Sequence, residues 1–266
     1  MSEAFRPDDI PVPADLERHY VEPPLTELFD DLDEGLFCLR FLNLKKTDEA
    51  KVRETAALVA GLKDEIIAKG LFRARGVYRF FPAAADGDAV KFMDNSGAEL
   101  ARYDFPRQKG GEKLCLADFV AAADGPRDYV GLFAATCGEG VAALSRREKE
   151  AGNYVRSYLM EALALSLAEA FADVMHYKMR QAWAIAEPQP ARPLLRSRHR
   201  GRRYSFGYSA CPDLAGQKII FDLLKPEPDA GITLTDGFMM DPEASVSALV
   251  LHNPKSVYFN IGDAAQ

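Results

Sequence analysis

Little in this sequence serves metal chemistry or a disulfide framework: its 266 residues include only four histidines and four cysteines. Cys38, Cys115, Cys137 and Cys211 lie far apart and form no CxxC pair. That spacing excludes a zinc ribbon or a dense disulfide frame and leads us to expect reduced thiols in a cytoplasmic protein. The histidines share no ligand spacing, so no metal site is expected. Long apolar runs are missing too. None approaches the roughly 20 residues that span a bilayer, and the opening MSEAFRPDDIPVPADLERHY is polar and acidic, unlike a secretory or transit leader. Neither a membrane partner nor a targeting segment is expected. The net charge of -7 lacks the positive excess that broad nucleic-acid binding needs.

What is present is ordinary for a globular chain: 48% of residues are hydrophobic and 27% charged. The length allows one large core. Residues 1–24 are proline-rich and read as an extended N-terminal arm. Residues 25–44 read as a helix or broken helix carrying Leu28, Phe29, Leu32, Leu36 and Phe37. TDEAKVRETAALVAGLKDEIIAKG (47–70) is helical, with Thr47 as cap and Gly70 as stop. GVYRFFPA, DAVKFMD and LARYDF are short, aromatic and separated by turn residues, the pattern of antiparallel strands. DYVGLFAAT (128–136) is a further strand. Residues 141–185 are helical with a break near Gly152, ended by Pro188, Pro190 and Pro193. A shorter helix runs from about Pro212 to Leu224, and FMMDP, SVSALVL and SVYFNIG read as closing strands. This order predicts an α+β fold, one domain with an antiparallel or mixed sheet and long helices.

Four segments carry candidate chemistry. Gly138-x-Gly140-x-x-Ala143 imitates a dinucleotide loop, but such loops need a following strand ending in an acid about 20 residues on. A long helix follows instead, so the segment reads as a plain strand-to-helix turn. ALALSLAEAFA (162–172) is apolar nearly all round and therefore a buried helix. Glu169 in its middle needs a partner: either an arginine in a structural ion pair, or a ligand cation in a polar pocket. RPLLRSRHRGRR (192–203) holds six arginines in twelve positions. It is either a solvated loop or an anion-binding wall.

The fourth is RRYSFGYSACPD (202–213). Gly207 permits backbone geometry closed to other residues, Tyr208 offers a flat face and a hydroxyl, and Pro212 suits the first turn of a helix with Ser209 or Cys211 near its cap. Amides of that first turn would face Gly207 and Tyr208, and a helix N-terminus favours an anion. With Arg203 beside them, these parts suit a small zwitterionic ligand with an aromatic portion. Cys211 as a nucleophile lacks an evident histidine base.

RRYSFGYSACPD closely resembles the R-x-x-x-G-Y-x-A-C-P-[DE] segment of the activation domain of cobalamin-dependent methionine synthases. The similarity continues through IIFDLLKPEPDAGITLTDGFMMDPEASVSALVLHNPKSVYFNIG and back through LAEAFADVMHYKMRQAW, LCLADFVA, DYVGLFAAT and GVYRFFPA, about residues 72–262. The resemblance implies that residues 25–266 bind S-adenosylmethionine through Arg203, Gly207, Tyr208, Ala210, Glu169, Tyr258 and Phe259. It also implies an N-terminal aspartate, Asp33 or Asp31, and makes Tyr208 the candidate catalytic residue lining the reacting gap. Ser209 and Leu214 depart from the family's Y-P-A-C-P-[DE]-H, Asp241 and Glu243 replace a tryptophan and a glycine, and Phe259 replaces a tyrosine. The chain has no D-x-H-x-x-G cobalamin motif, zinc-binding cysteine set or folate barrel. The implied role is therefore a free-standing subunit that presents S-adenosylmethionine to cobalamin supplied by a methionine synthase partner or another corrinoid methyltransferase. A flavodoxin-like donor would supply the electron, and the arginine run is the candidate docking surface. The alternative is a sensor that binds S-adenosylmethionine, or another small ligand, on the same scaffold without methyl transfer.

Overall fold

The structure, a computed structural model, describes residues 9–32, 37, 49–191, 193–194 and 198–262. Asp33, Leu36, Cys38, Thr47, Arg192 and Arg196 lie outside these. The first helix, α1, spans Leu25–Asp30 and buries Leu28 and Phe29. α2, Glu49–Lys69, buries Leu62 and Ile66, four residues apart on one face. It stops at Gly70, whose φ of +58° is easily adopted without a Cβ.

The centre is an antiparallel sheet. β2 (Arg75–Asp86), β3 (Ala89–Met93) and β4 (Glu99–Asp104) are the three aromatic segments expected as strands. β5 (Asp128–Thr136) pairs with β2 on one side and with β9 (Ser245–Leu251) on the other. β6 (Arg202–Tyr204) pairs beyond β9, so the path is β4-β3-β2-β5-β9-β6, and β1 (His19–Val21) pairs with β2. Every residue of β5 is buried. A strand buried on both faces can be apolar throughout, and DYVGLFAAT nearly is.

Each face has its own core. Phe80, Phe133 and Val250 face α4 (Tyr154–Ala182), which buries Leu163, Leu167, Phe171 and Met175. Phe81, Leu132 and Leu249 face the short helices α5 (Lys218–Leu224) and α6 (Glu227–Ala230). α3 (Val141–Glu150) and α4 are separated at Gly152, where a break was expected. The fold is the α+β arrangement that the element order predicts.

Three expectations need correction. The segment 256–262 is not a strand. Asn253 and Asn260 side chains accept from Lys255 N and Gly262 N, and such local bonds compete with a ladder. FMMDP contributes only β8 (Met240–Asp241), paired with β7 (Thr233–Leu234) outside the main sheet. The helix expected from Pro212 begins as a 3-10 turn, Leu214–Gln217, before α5.

Residues 9–24 run along the body. Ala14 N donates to Ala182 O at 2.9 Å, and Arg79 Nε donates to Leu16 O. Arg200 ties Asp9 O and His252 O together. Gly201, just before β6, has φ +80°, and a Cβ there would lie 2.5 Å from Leu251 O. Gly61, exposed in α2, has nothing within 4 Å of its would-be Cβ. Gly201→Ala is expected to cost at least about 2 kcal/mol, whereas Gly61→Ala should add about 0.5–1 kcal/mol. Urea unfolding midpoints of the two variants, at unchanged slope, check both signs.

Candidate functional site

The short β6 makes the site. It covers only Leu249–Leu251 of β9, so the first half of β9 carries no strand on that side and Ser245, Val246 and Ser247 line a cleft. Ser166, Glu169, Ala170 and Asp173, one face of α4, form the opposite wall. β6 and the chain leaving it supply Arg203 and residues 204–206 and 208–211, and Tyr258, Phe259 and Asn260 close one end. The cleft holds about 940 Å³, within the roughly 300–1,000 Å³ typical of small-molecule sites.

Charge concentrates at one wall. Arg203 Nη2 donates to Glu169 Oε2 at 3.4 Å and forms an ion pair with Asp173 Oδ1 at 3.1 Å. Burial pushes the Asp173 carboxyl above its ordinary range; Arg203 opposes the shift, and Glu169 and Asp31 add to it. Arg203 Nη1 and Ser166 Oγ are buried without a hydrogen-bond partner. Two unpartnered donors buried at the wall of one cleft are hydrogen-bonding capacity that a ligand with acceptors would fill.

The segment after β6 folds back on itself. Gly207, at φ +87°, donates its N–H to Cys211 O at 2.9 Å, and Cys211 N donates to Tyr208 O at 2.9 Å. That tight turn leaves Tyr208 61% exposed at the cleft, which Tyr258, 66% exposed, also lines. Tyr204 fixes the far end: its hydroxyl donates to Val257 O at 2.8 Å and its ring meets Tyr258 edge-on.

A family model for the vitamin B12-dependent methionine synthase activation domain matches residues 40–266. The chain belongs to that family. It is 34% identical over 208 residues to a methionine synthase of Mycobacterium tuberculosis (strain ATCC 25618 / H37Rv), covering 72% of this chain and 17% of that protein. Over 202 residues it is 32% identical to the methionine synthase of Mycobacterium leprae (strain TN), covering 70% and 17% respectively. The chain thus spans 17% of the length of these curated relatives. A crystal structure of the MetH reactivation domain bound to AdoHcy superposes with a TM-score of 0.88 at 29% identity, covering 95% of this chain and 83% of that one.

In this activation domain Arg203, Glu169, Tyr208, Ala210, Tyr258 and Phe259 all line the one cleft, and Gly207 forms the turn beside it. Asp33 lies outside the described residues, while Asp31 lines the cleft. Glu169 is not the buried carboxylate its neighbours imply: its side chain is 42% exposed, because the helix turns that position to the cleft. The expected helix N-terminus is not open to an anion. Asp213 caps the 3-10 turn by accepting from Ala215 N at 3.0 Å, and neither Ser209 nor Cys211 does so. Burial pushes the Cys211 thiol up to about 12, which removes it as a nucleophile. At the glycine turn before α3, a Cβ on Gly138 would meet Pro242 at 2.5 Å, leaving no cradle for a phosphate. Arg200 and Arg202 of the arginine run bond their own chain's carbonyls, so among the described residues of that run Arg198 is the exposed arginine.

Asp173 and Ser166 were not anticipated. Their spacing from Glu169, plus four and minus three, places all three on one helical face, and that was the only signal available. One turn beyond Asp173, His176 is buried and its pKa sits well below 6.5, chiefly from burial and then from Arg180, Arg203, His199 and Arg202. The unfolded chain takes up this proton below about pH 6.5 and the fold does not, so stability falls on acidification by at most about 1.4 kcal/mol per pH unit from this group. Thermal melts at pH 7.5 and 5.5 should show a smaller acid loss for His176→Gln than for the parent.

Proposed function

We propose that the cleft binds S-adenosylmethionine and presents its methyl group to cobalamin held by a methionine synthase partner or another corrinoid methyltransferase, as a reactivation step. The observation that carries this is the buried, unpartnered Arg203 Nη1 beside a half-buried Glu169. A guanidinium donor and a carboxylate acceptor on one wall match the carboxylate and ammonium of an amino-acid tail. The AdoHcy-bound relative supports the same ligand class.

In this reading Arg203 grips the ligand carboxylate and Glu169 accepts from its ammonium. Tyr258 and Phe259 offer aromatic surface to the adenosine portion, and Gly207 and Ala210 let the backbone lie close to it. Asp31, rather than Asp33, is the described N-terminal aspartate at the cleft. Tyr208 stands at the mouth, where it shields the sulfonium side from water and borders the incoming corrin. The cobalamin cofactor supplies the methyl acceptor once an external low-potential donor, such as a flavodoxin-like protein, has reduced it. This chain contributes positioning, the holding of two reactants in register.

Titration calorimetry with S-adenosylmethionine should show binding by the parent and about tenfold to hundredfold weaker binding by Arg203→Ala. A mixture with a Co(II)-containing cobalamin partner and a reductant should form methylcobalamin, followed by absorbance, faster with this chain than without it. Binding without any such acceleration would leave a ligand-binding role alone; no binding would reject the reading.

A further inference from the structure

We infer that Asp173 is the positioning residue of the cleft: it holds the Arg203 guanidinium in place, so that Glu169 is free to leave Arg203 for the ligand's cation. This rests on the S-adenosylmethionine reading and adds a division of labour between two acids on neighbouring turns of α4.

The asymmetry lies in the geometry. Both carboxylates reach the same nitrogen, Nη2 of Arg203, but Asp173 does so at 3.1 Å and Glu169 at 3.4 Å. The Asp173 side chain is 16% exposed, as is that of Arg203, whereas Glu169 is 42% exposed. The shorter pair is shielded from solvent, and the longer one opens to the cleft.

Charge balance gives the reason for two acids. Arg203 projects from a three-residue strand at the sheet's edge, and its Nη1 has no partner. Were Glu169 its only anchor, a ligand ammonium drawing Glu169 away would also release the arginine needed for the ligand carboxylate. Asp173 removes that conflict. The groups acting on it are Arg203 of β6, Glu169 and Arg180 on its own helix, and Asp31 from the N-terminal segment. Burial alone would favour its protonated form, and Arg203 favours the ionised form that a fixed ion pair requires. Shortening to aspartate also fits: its stem is one methylene less than that of glutamate, with fewer rotamers and less reach towards the ligand.

The test compares ligands that differ by one group. S-adenosylmethionine and its decarboxylated analogue both carry the ammonium, but only the first carries the carboxylate. 5′-Methylthioadenosine carries neither and reports whether the adenosine part of the cleft is folded. The parent should prefer S-adenosylmethionine over the decarboxylated analogue. In Asp173→Asn that preference should shrink by about tenfold or more, with 5′-methylthioadenosine affinity unchanged. Asp173→Glu, which keeps the charge, should recover part of the preference. Glu169→Gln should weaken both ammonium-bearing ligands alike and keep the preference. Should Asp173→Asn fail to bind 5′-methylthioadenosine, Asp173→Glu and Asp173→Ser carry the comparison. A neutral variant that retains the parent's full preference overturns the inference while leaving the binding reading intact. A parent that binds none of the three ligands overturns the binding reading itself, and this inference with it.

Discussion

Burial of β5 on both faces is the constraint from which the remaining architecture follows. Its nine residues all lie out of solvent, so each face of the sheet must be covered. α4 covers one face and the smaller α5 and α6 the other. Covering both faces leaves the sheet edges as places where the core can be reached. At the β9 edge, β6 pairs with three residues and stops. The cleft opens at that stop, between an uncovered strand edge and the helix that must pack over it. Catalytic and binding groups commonly gather where a rigid scaffold leaves such a gap.

Polar groups inside this shell are few and closely partnered, with exceptions that matter. Asp128 opens β5 and is buried, yet its carboxylate accepts from His252 Nε2 at 2.6 Å, Ala121 N at 2.8 Å and Tyr129 N at 2.6 Å. Arg200 donates to His252 Nδ1 at 3.3 Å, which assigns the histidine proton to Nε2 when the ring is neutral. An Asp–His pair can suggest catalysis; here both side chains are 1% exposed and the pair ties β5 to the end of β9. Arg203 and Ser166 differ from it. Both residues line the cleft and their unpartnered donors are buried beside it, and an unpartnered donor beside a cavity has a use that one inside packed core does not.

The Arg203 wall carries both signs of charge, which in the proposed reading matches a zwitterion better than a simple anion. An arginine alone would attract any carboxylate or phosphate. With Asp173 and Glu169 on the same guanidinium, and Asp31 close enough to raise the Asp173 carboxyl, the wall carries acid as well as base. A ligand offering only negative charge would meet those carboxylates at close range.

How much could be read in advance depended on the range of the interaction. α2, β2 to β5 and the break at Gly152 were legible because local periodicity, turn residues and apolar runs act over a few neighbours. The family was legible through the RRYSFGYSACPD motif because that segment is dense in unusual residue types. Residues 256–262 were misread because their apolar and aromatic alternation suits a strand, while Asn253 and Asn260 bond their own backbone. The capping of the 214–217 turn was misread because Pro212 and Asp213 both suit a helix start, and only the packed chain chooses Asp213. Composition, periodicity and motif thus determined the α+β class, most elements and the family. Tertiary structure alone decided that Asp173 sits closer to Arg203 than Glu169 does, that Ser166 and Arg203 Nη1 are left open, and that Arg200 and Arg202 turn inward. Those facts depend on how an edge strand docks against a distant helix, a pairing across 30 or more residues that no local pattern encodes.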